Sequence, residues 1–543
     1  MNAPDRRLHE GAIGVAPYLI ACGAQQQVPA AEIPASVPGP ELIGFKAYNL
    51  ARMAAMGLPI PPGFVLGTAW CAQHERLQVR DWLGALHTVE QARGQCFGDK
   101  RRPLLVSVRS GAAQSMPGMM ESLLNIGLSD GTLPGLLRLS GNPRLCWDAY
   151  RRLVASFGEI VMGVPATQFE ADLDSLLAGR DEQALDFIEL RQLTRLHQAS
   201  ILRITGHPFP QDPQLQLEHA IHAVFASWRS DKAREYRRIK ALADDAGTAV
   251  TVQAMVFGNA GGLSGAGVGF TRQPMSGEPG PWVDFLLNAQ GEDVVCGRRS
   301  APTGEALAVL APELWAELQQ CCRQLEQAFG DMQDIEFTIE LGRLWILQTR
   351  SGKRSPQARA RIALDLLDEG LIDTAQALER TRDLDENCLG LRVLAQADGE
   401  RPMPLGRGIC ASAGVVSGAI ALDEMACARA QAAGVRTLLV RPDADTRDIT
   451  ALDMAEGLLT TRGARTSHAA VLARQLGKVC VVACEGLKLD PQARSIQLGG
   501  STLPEGSMLT LDGNTGDVYA GELQQTDQLP LPLIERLRSL RQG

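Results

Sequence analysis

A chain of 543 residues is too long for a single hydrophobic core and long enough for about three to four domains. With 45% hydrophobic residues it is globular, and a formal charge of -9 argues against the basic footprint of a nucleic-acid binder. No stretch reaches the roughly 18 apolar residues that cross a bilayer, the Ala12 to Ala24 stretch is too short and too interrupted by Pro17 for a secretory signal, and the 12 cysteines show no paired metal-ligand spacing, so we expect a cytoplasmic protein with reduced thiols and no membrane partner.

In chain order, residues 1–41 read as a short strand and a lead-in, with Gln25, Gln26 and Gln27 and prolines at Pro29, Pro34, Pro38 and Pro40. The segment from Leu42 to Leu50 runs into a helix that stops at Gly57, and Leu58 to Leu66 turns into a strand. Lys46, beside Gly44 at that helix start, could hold a phosphate or be a solvated surface lysine. Leu104 to Gly111 alternates, which sets Ser107 and Arg109 opposite Val106 and Val108 and aims Arg109 towards the next loop. That loop, Ala112 to Glu121, contains Ser115 and Gly118; small residues and backbone N–H groups are the ingredients for wrapping a polyphosphate.

From Asn142 to about Leu202 the pattern is helical, with Trp147, Tyr150, Leu153, Val154 and Phe157 as core and Gly158 near a break. Phe209 to Pro213 is a turn. A helix from about Leu215 to Ala241 follows, its basic residues Arg234, Arg237, Arg238 and Lys240 forming a solvated face. Ala249 to Val256 is a strand, Gly258 to Gly269 a glycine-rich link, and Leu286 to Val295 brings Gln290, Glu292 and Asp293 to a strand end. Asp334 to Glu340 and Leu344 to Arg350 form a hairpin with Leu341-Gly342-Arg343 as a three-residue loop. If Glu340 pairs with Leu344, Glu336 lies opposite Gln348 and Asp334 opposite Arg350, away from Ile335 and Phe337. Asp334, Glu336 and Gln348 are hard oxygen ligands that suit Mg²⁺ bound together with substrate phosphates; a salt-bridged surface hairpin is the other reading.

Pro356 to Glu369 and Thr374 to Arg380 are helical segments of a connector, and a hinge near Arg401 to Pro404 opens a further domain with a strand, turn and strand at Gly408 to Ile420. In it, Gly457 to Thr460 and Lys478 to Cys484 read as strands, the second with Cys480 and Cys484 on one face. Between them Arg462 to Arg474 gives a loop and a helix. Thr466 or Ser467 can cap this helix, Ala470, Val471 and Ala473 give it an apolar side, and Gly477 can end it. His468 then sits in the first turn, where free N–H groups and the positive dipole end favour a negatively charged phosphoimidazole by roughly 0.3–1 kcal/mol.

Thr466-Ser467-His468-Ala469-Ala470-Val471-Leu472-Ala473-Arg474 resembles the phosphohistidine motif of the phosphoenolpyruvate-utilising enzymes, and Leu511 to Gly516 resembles the hairpin that follows it. The family more often has Gly-Gly-Met where this chain has Gly463-Ala464-Arg465. Lys46, Val108-Arg109-Ser110-Gly111, Ser115 to Met120, Gln290 to Val295 and Asp334 to Glu340 with Gln348 and Arg350 are similar, in the same order, to the nucleotide-binding half of the pyruvate, phosphate dikinase family, over roughly residues 40 to 522.

The resemblance implies a multi-domain α/β and α+β protein: an ATP-grasp nucleotide-binding region at 42–351 with a helical insert at about 129–205, a connector at 352–401, a swivelling β/β/α phosphohistidine domain at 402–522 and a tail helix at 523–543. It implies ATP with Mg²⁺, catalytic roles for His468 and Arg109, and nucleotide or phosphate contacts from Lys46, Arg109, Asp334, Glu336, Gln348 and Arg350. The resembling reaction converts ATP and phosphate to phosphohistidine, AMP and pyrophosphate. After Gly521 we expect only a linker and a helix, so transfer to pyruvate would need a separate barrel protein, with water or another small acceptor, or a non-catalytic ATP-binding scaffold, as the alternatives. Leu533, Ile534, Leu537 and Leu540 stripe the last helix; it either recruits that partner or docks on its own histidine domain.

Overall fold

The computed structural model describes residues 16–22, 37–114, 116, 120–177, 180, 182–240, 242–295, 304–395, 402–443, 448–463, 465 and 467–542. It is a mixed α/β chain that divides between Val256 and Phe257, inside the stretch 42–351, into two compact units. Among the described residues no helix is long and apolar enough to cross a membrane, and the cysteines are unpaired thiols.

In the first unit a five-stranded sheet has the order β1 (Tyr18–Ile20), β2 (Gly63–Leu66), β5 (Thr248–Ala254), β3 (Val106–Ala112), β4 (Ser122–Ile126). Alternation along β3 buries Val106 and Val108 completely and leaves Arg109 half-buried on the other face. Helix α1 (Phe45–Ala55) starts after Gly44, whose φ is 78°; a Cβ there would stand 1.9 Å from the Gly111 carbonyl oxygen, so only glycine lets α1 start against the end of β3.

The helical layer contains α2 (Pro143–Ile160), capped by Asn142 accepting from the Leu145 N–H at 3.0 Å, and α3 (Phe187–Thr205). Tyr150, Leu153, Val154 and Phe157 are fully buried as their spacing predicts. Gly158 lies two residues before α2 ends at Ile160, near a break as expected. A Cβ on it would be 2.5 Å from the Phe169 ring and 2.9 Å from Ile201, so the glycine lets neighbouring helical segments pack closely against α2 there. The expected long helix is two: α4 (Pro213–Ala226) and Asp231–Lys240, separated by a 3₁₀ turn at Ser227–Arg229 and an extended Ser230. Arg237 is not on a solvated face. It is 2% exposed, stacks 4.1 Å over Trp228 and donates to Asp244 and to the Trp228 carbonyl; Lys240's side chain lies outside the described set.

The second unit begins with a four-stranded antiparallel sheet in the order β9 (Arg343–Ser351), β8 (Gln333–Glu340), β6 (Gly265–Arg272), β7 (Pro279–Leu287). Here a supposed glycine-rich link is a central strand. Cβ atoms built on Gly265 and Gly267 would lie 2.2 Å from the Phe285 and Phe337 rings, which stack at 6.1 Å, so the glycines make a track for aromatic rings on the core face. Helix α5 (Pro312–Phe329) buries Leu318 and Leu325 completely. The connector helices α6 (Pro356–Asp368) and α7 (Thr374–Thr381) form where predicted, capped by Ser355 and Asp373.

The segment 402–522 contains an eight-stranded sheet, β11 (Gly406–Arg407), β18 (Asp517–Ala520), β17 (Met508–Asp512), β13 (Val415–Ala421), β14 (Thr437–Arg441), β15 (Gly457–Thr460), β16 (Val479–Val482), β12 (Ile409–Ser412). The run β13 to β16 is parallel, and alternate residues feed two cores: Leu439, Leu458 and Cys480 with helix α8 (His468–Gln475), Val440, Leu459 and Val481 with Leu509 and Leu511. Cys480 and Cys484 were expected on one face, but they join different cores. The strand ends at Val482 and Ala483 takes φ 50°, which breaks the alternation before Cys484. Burial pushes both thiols up to about 12, away from the thiolate form.

The strand before this segment, β10 (Leu391–Leu394), pairs antiparallel with the strand after it, β19 (Gln525–Gln528). The last helix, α9 (Leu531–Gln542), buries Leu533, Ile534 and Leu537 against Ala360, Leu364, Leu384 and Leu389 of the connector. Arg536 donates to Asp365 and Asp368, and Arg538 to Glu386. The stripe is therefore covered by the connector, neither left open for a partner nor docked on the histidine-bearing sheet.

Candidate functional site

In the first unit the predicted cations gather at one end of β3. Arg109 and Gly111 are two residues apart and so share a face, and a Cβ built on Gly111 would stand 3.7 Å from the Cβ of Lys46. Lys46 belongs to the first turn of α1 and is half-buried. In the loop after β3, Met116 is buried at 6% exposure, while Ser115 and Gly118 lie outside the described residues.

In the second unit the β8–β9 hairpin sets Asp334 opposite Arg350 and Glu336 opposite Gln348, as predicted. The turn differs. Glu340 pairs with Arg343, not Leu344, leaving Leu341 at φ 50° and Gly342 at φ 78° as a two-residue turn, and an irregularity between Glu336 and Phe337 restores the expected register. Arg350 Nε donates to Asp334 Oδ2 at 2.7 Å and Gln348 Nε2 to Glu336 Oε1 at 3.1 Å. Burial holds the Asp334 carboxyl above its ordinary range, although the Arg350 charge pulls it down.

Registers extend these pairs across the sheet: Arg350, Asp334, Phe270 and Trp282 form one cross-strand row, and Gln348, Glu336, Val268 and Asp284 the next. All eight therefore face the side opposite the glycine track. Among the described residues no group of three His, Cys, Asp or Glu side chains could hold a metal by itself. Two carboxylates and an amide oxygen on one face fit a hard cation that takes its other ligands from water and substrate phosphate. Gln290 and Asp293 are occupied elsewhere: the Gln290 amide donates to Asn259 at 2.8 Å and Asp293 accepts from the Gln290 N–H at 3.0 Å; the Glu292 side chain is outside the described set.

Helix α8 begins at His468, between the parallel strands β15 and β16, in the predicted strand, loop, helix, strand order. Ser467 is its cap, its hydroxyl accepting from the Ala470 N–H at 3.4 Å; Ala470 and Ala473 are buried, and Gly477 follows the helix at φ 67°. Thr466 and the imidazole of His468 lie outside the described set.

Sequence reasoning missed what surrounds this helix. Arg465 Nε donates to Asp284 Oδ1 at 3.0 Å, an Nη of the same residue reaches the Val283 carbonyl at 3.3 Å, and its guanidinium stacks 4.2 Å over Trp282. Arg474 Nη1 donates to the Arg465 and Ala411 carbonyls, each at 2.7 Å, and the guanidinium carbon of Arg474 lies 5.7 Å from the Phe270 ring centre. The available signal was Trp282-Val283-Asp284, whose alternation puts a ring and a carboxylate on one strand face.

The family model described as "Pyruvate phosphate dikinase, AMP/ATP-binding domain" matches residues 79–304 and 302–370, and that described as "PEP-utilising enzyme, mobile domain" matches 435–516. The chain is 40% identical over 492 residues to pyruvate, phosphate dikinase 2 of Zea mays, covering 89% of this chain and 56% of that protein. It is 39% identical over 510 residues to pyruvate, phosphate dikinase of Clostridium symbiosum, covering 91% and 58%, and 40% identical over 506 residues to that of Rhizobium meliloti (strain 1021), covering 89% and 56%. The chain thus spans about half the length of the curated relatives it matches.

Proposed function

The chain belongs to the pyruvate, phosphate dikinase family, and from that premise we propose that its residues carry out the nucleotide half of a dikinase reaction: His468, ATP and phosphate give phosphohistidine, AMP and pyrophosphate. The bookkeeping assigns the β-phosphorus to the imidazole. AMP keeps the α-phosphorus, and the γ-phosphoryl group joins the added phosphate. Onward transfer to pyruvate is proposed to use an acceptor site beyond these residues, in this or another chain.

Lys46 and Arg109 would bind phosphate oxygens, with backbone N–H groups of the loop through Ser115 and Gly118, and Arg109 would also carry developing charge in the transfer. Gln348 and Arg350 would orient the nucleotide. Mg²⁺ held by Asp334, Glu336 and Gln348 would neutralise charge on the triphosphate. We assign the ATP-grasp fold to 42–351 and the swivelling part to 402–522. Two facts support the second assignment: the cores of that segment are built from its own residues, and its entry and exit strands β10 and β19 run side by side.

The observation that carries the reading is the shared face of the two hairpin pairs, Asp334 with Arg350 and Glu336 with Gln348. In a single turnover with ATP, Mg²⁺ and phosphate, Glu336→Ala is expected to slow AMP formation roughly a hundredfold or more with unchanged thermal unfolding. AMP at the wild-type rate would leave the hairpin a structural ion-pair ladder.

A further inference from the structure

We propose that Arg465 is a positioning residue, which seats the histidine segment on the β7 strand through Trp282, Val283 and Asp284 so that the start of α8 is presented to the hairpin face. The proposal rests on the phosphotransfer reading above and adds a contact to it. Three consecutive residues of one strand hold one guanidinium: the Trp282 ring at 4.2 Å, the Val283 carbonyl at 3.3 Å and the Asp284 carboxylate at 3.0 Å. The Asp284 side chain is 2% exposed and that of Arg465 13%, so the pair is nearly dry.

A carboxylate that deep needs its cation, which makes the docked arrangement specific for Arg465 in place. The guanidinium geometry does what a lysine could not, stacking on a ring and donating in its own plane at once. Arg474 fixes the other end of the loop by donating to the Arg465 carbonyl at 2.7 Å, and its own guanidinium lies over Phe270. Phe270 is the cross-strand partner of Trp282, with ring centres 6.0 Å apart, so two arginines three residues before and six after His468 rest on one aromatic pair.

Placement follows from register. Asp284 lies in the row of Glu336 and Gln348, and Trp282 in the row of Asp334 and Arg350. Both are two strands from β8, a distance of about 10 Å at the usual strand spacing. Anchoring Arg465 there brings α8 over the face where the metal and phosphates are proposed to sit. The contact is made of charge, ring and carbonyl, while each partner has its own apolar core, so it can open without unfolding either.

The test uses the full chain with Arg465→Met, Asp284→Asn and both together. In single turnover at saturating ATP, each single variant is expected to label His468 from β-labelled ATP roughly ten- to a hundredfold more slowly, with ATP affinity unchanged, and the double variant no more slowly than the slower single. Independently of activity, the Trp282 fluorescence, isolated by subtracting the Trp282→Phe chain, should become more accessible to acrylamide in Arg465→Met. Wild-type labelling rates in both single variants, or additive losses in the double, would overturn the positioning role. Unchanged quenching would overturn the contact itself. A wild-type chain that takes no label would sink the phosphotransfer reading and with it the positioning role, leaving the quenching result to report the contact alone.

Discussion

At the scale of single residues, two side-chain pairs and one helix position were legible because they depend on short-range geometry. Strand alternation fixes which residues share a face, so Asp334 with Arg350 and Glu336 with Gln348 follow from the hairpin alone. Long-range neighbours were not legible. Nothing near Arg465 announces Asp284, which is 181 positions away, and nothing around Gly265 or Gly267 announces the rings that fill their places. The sequence reads these glycines as a link, whereas their role is space for the rings. Gly267→Ala is therefore expected to destabilise the chain by about 1–3 kcal/mol in denaturant unfolding, because the added methyl would meet the Phe337 ring at 2.2 Å. An unchanged midpoint would mean that this track is loosely packed.

Among elements, helix and strand positions came through well where caps and period agree. Pro356–Asp368 and Thr374–Thr381 fall where their sequences place them, each opened by a capping side chain. The hairpin turn did not, since a bulge about halfway along the strands can hide a one-residue difference in loop length while keeping the distal register. The last helix shows the other limit. Its apolar stripe was plain, but which surface covers it depends on packing that periodicity does not encode; the answer is the connector, with Arg536 and Arg538 pairing across. Leu537 is 2% exposed there, so Leu537→Ala is expected to cost about 2–5 kcal/mol of the stability of that region, seen as faster hydrogen exchange in 356–394 and 525–542. Unaltered exchange in the connector would show that α9 is not part of its core.

On the scale of the whole molecule, the family was legible from motif order, because the nucleotide segments and the histidine segment keep their sequence along the chain; the matches at 79–370 and 435–516 carry the same order. The division after Val256 lies beside the glycine-rich stretch at 258–269, which reads as a link inside one region at 42–351 and not as a boundary, because half of it is the strand β6 from Gly265. The paired strands β10 and β19 also escaped notice, because each is only four residues long and β19 is polar throughout, with no alternation to mark it. His468 is the group proposed to receive the β-phosphorus. The most direct measurement is incubation of the full chain with β-labelled ATP, Mg²⁺ and phosphate, followed by a chase in acid and in base: acid-labile, base-stable label on the wild type and none on His468→Asn is the expected result, and equal labelling of the two proteins would contradict it.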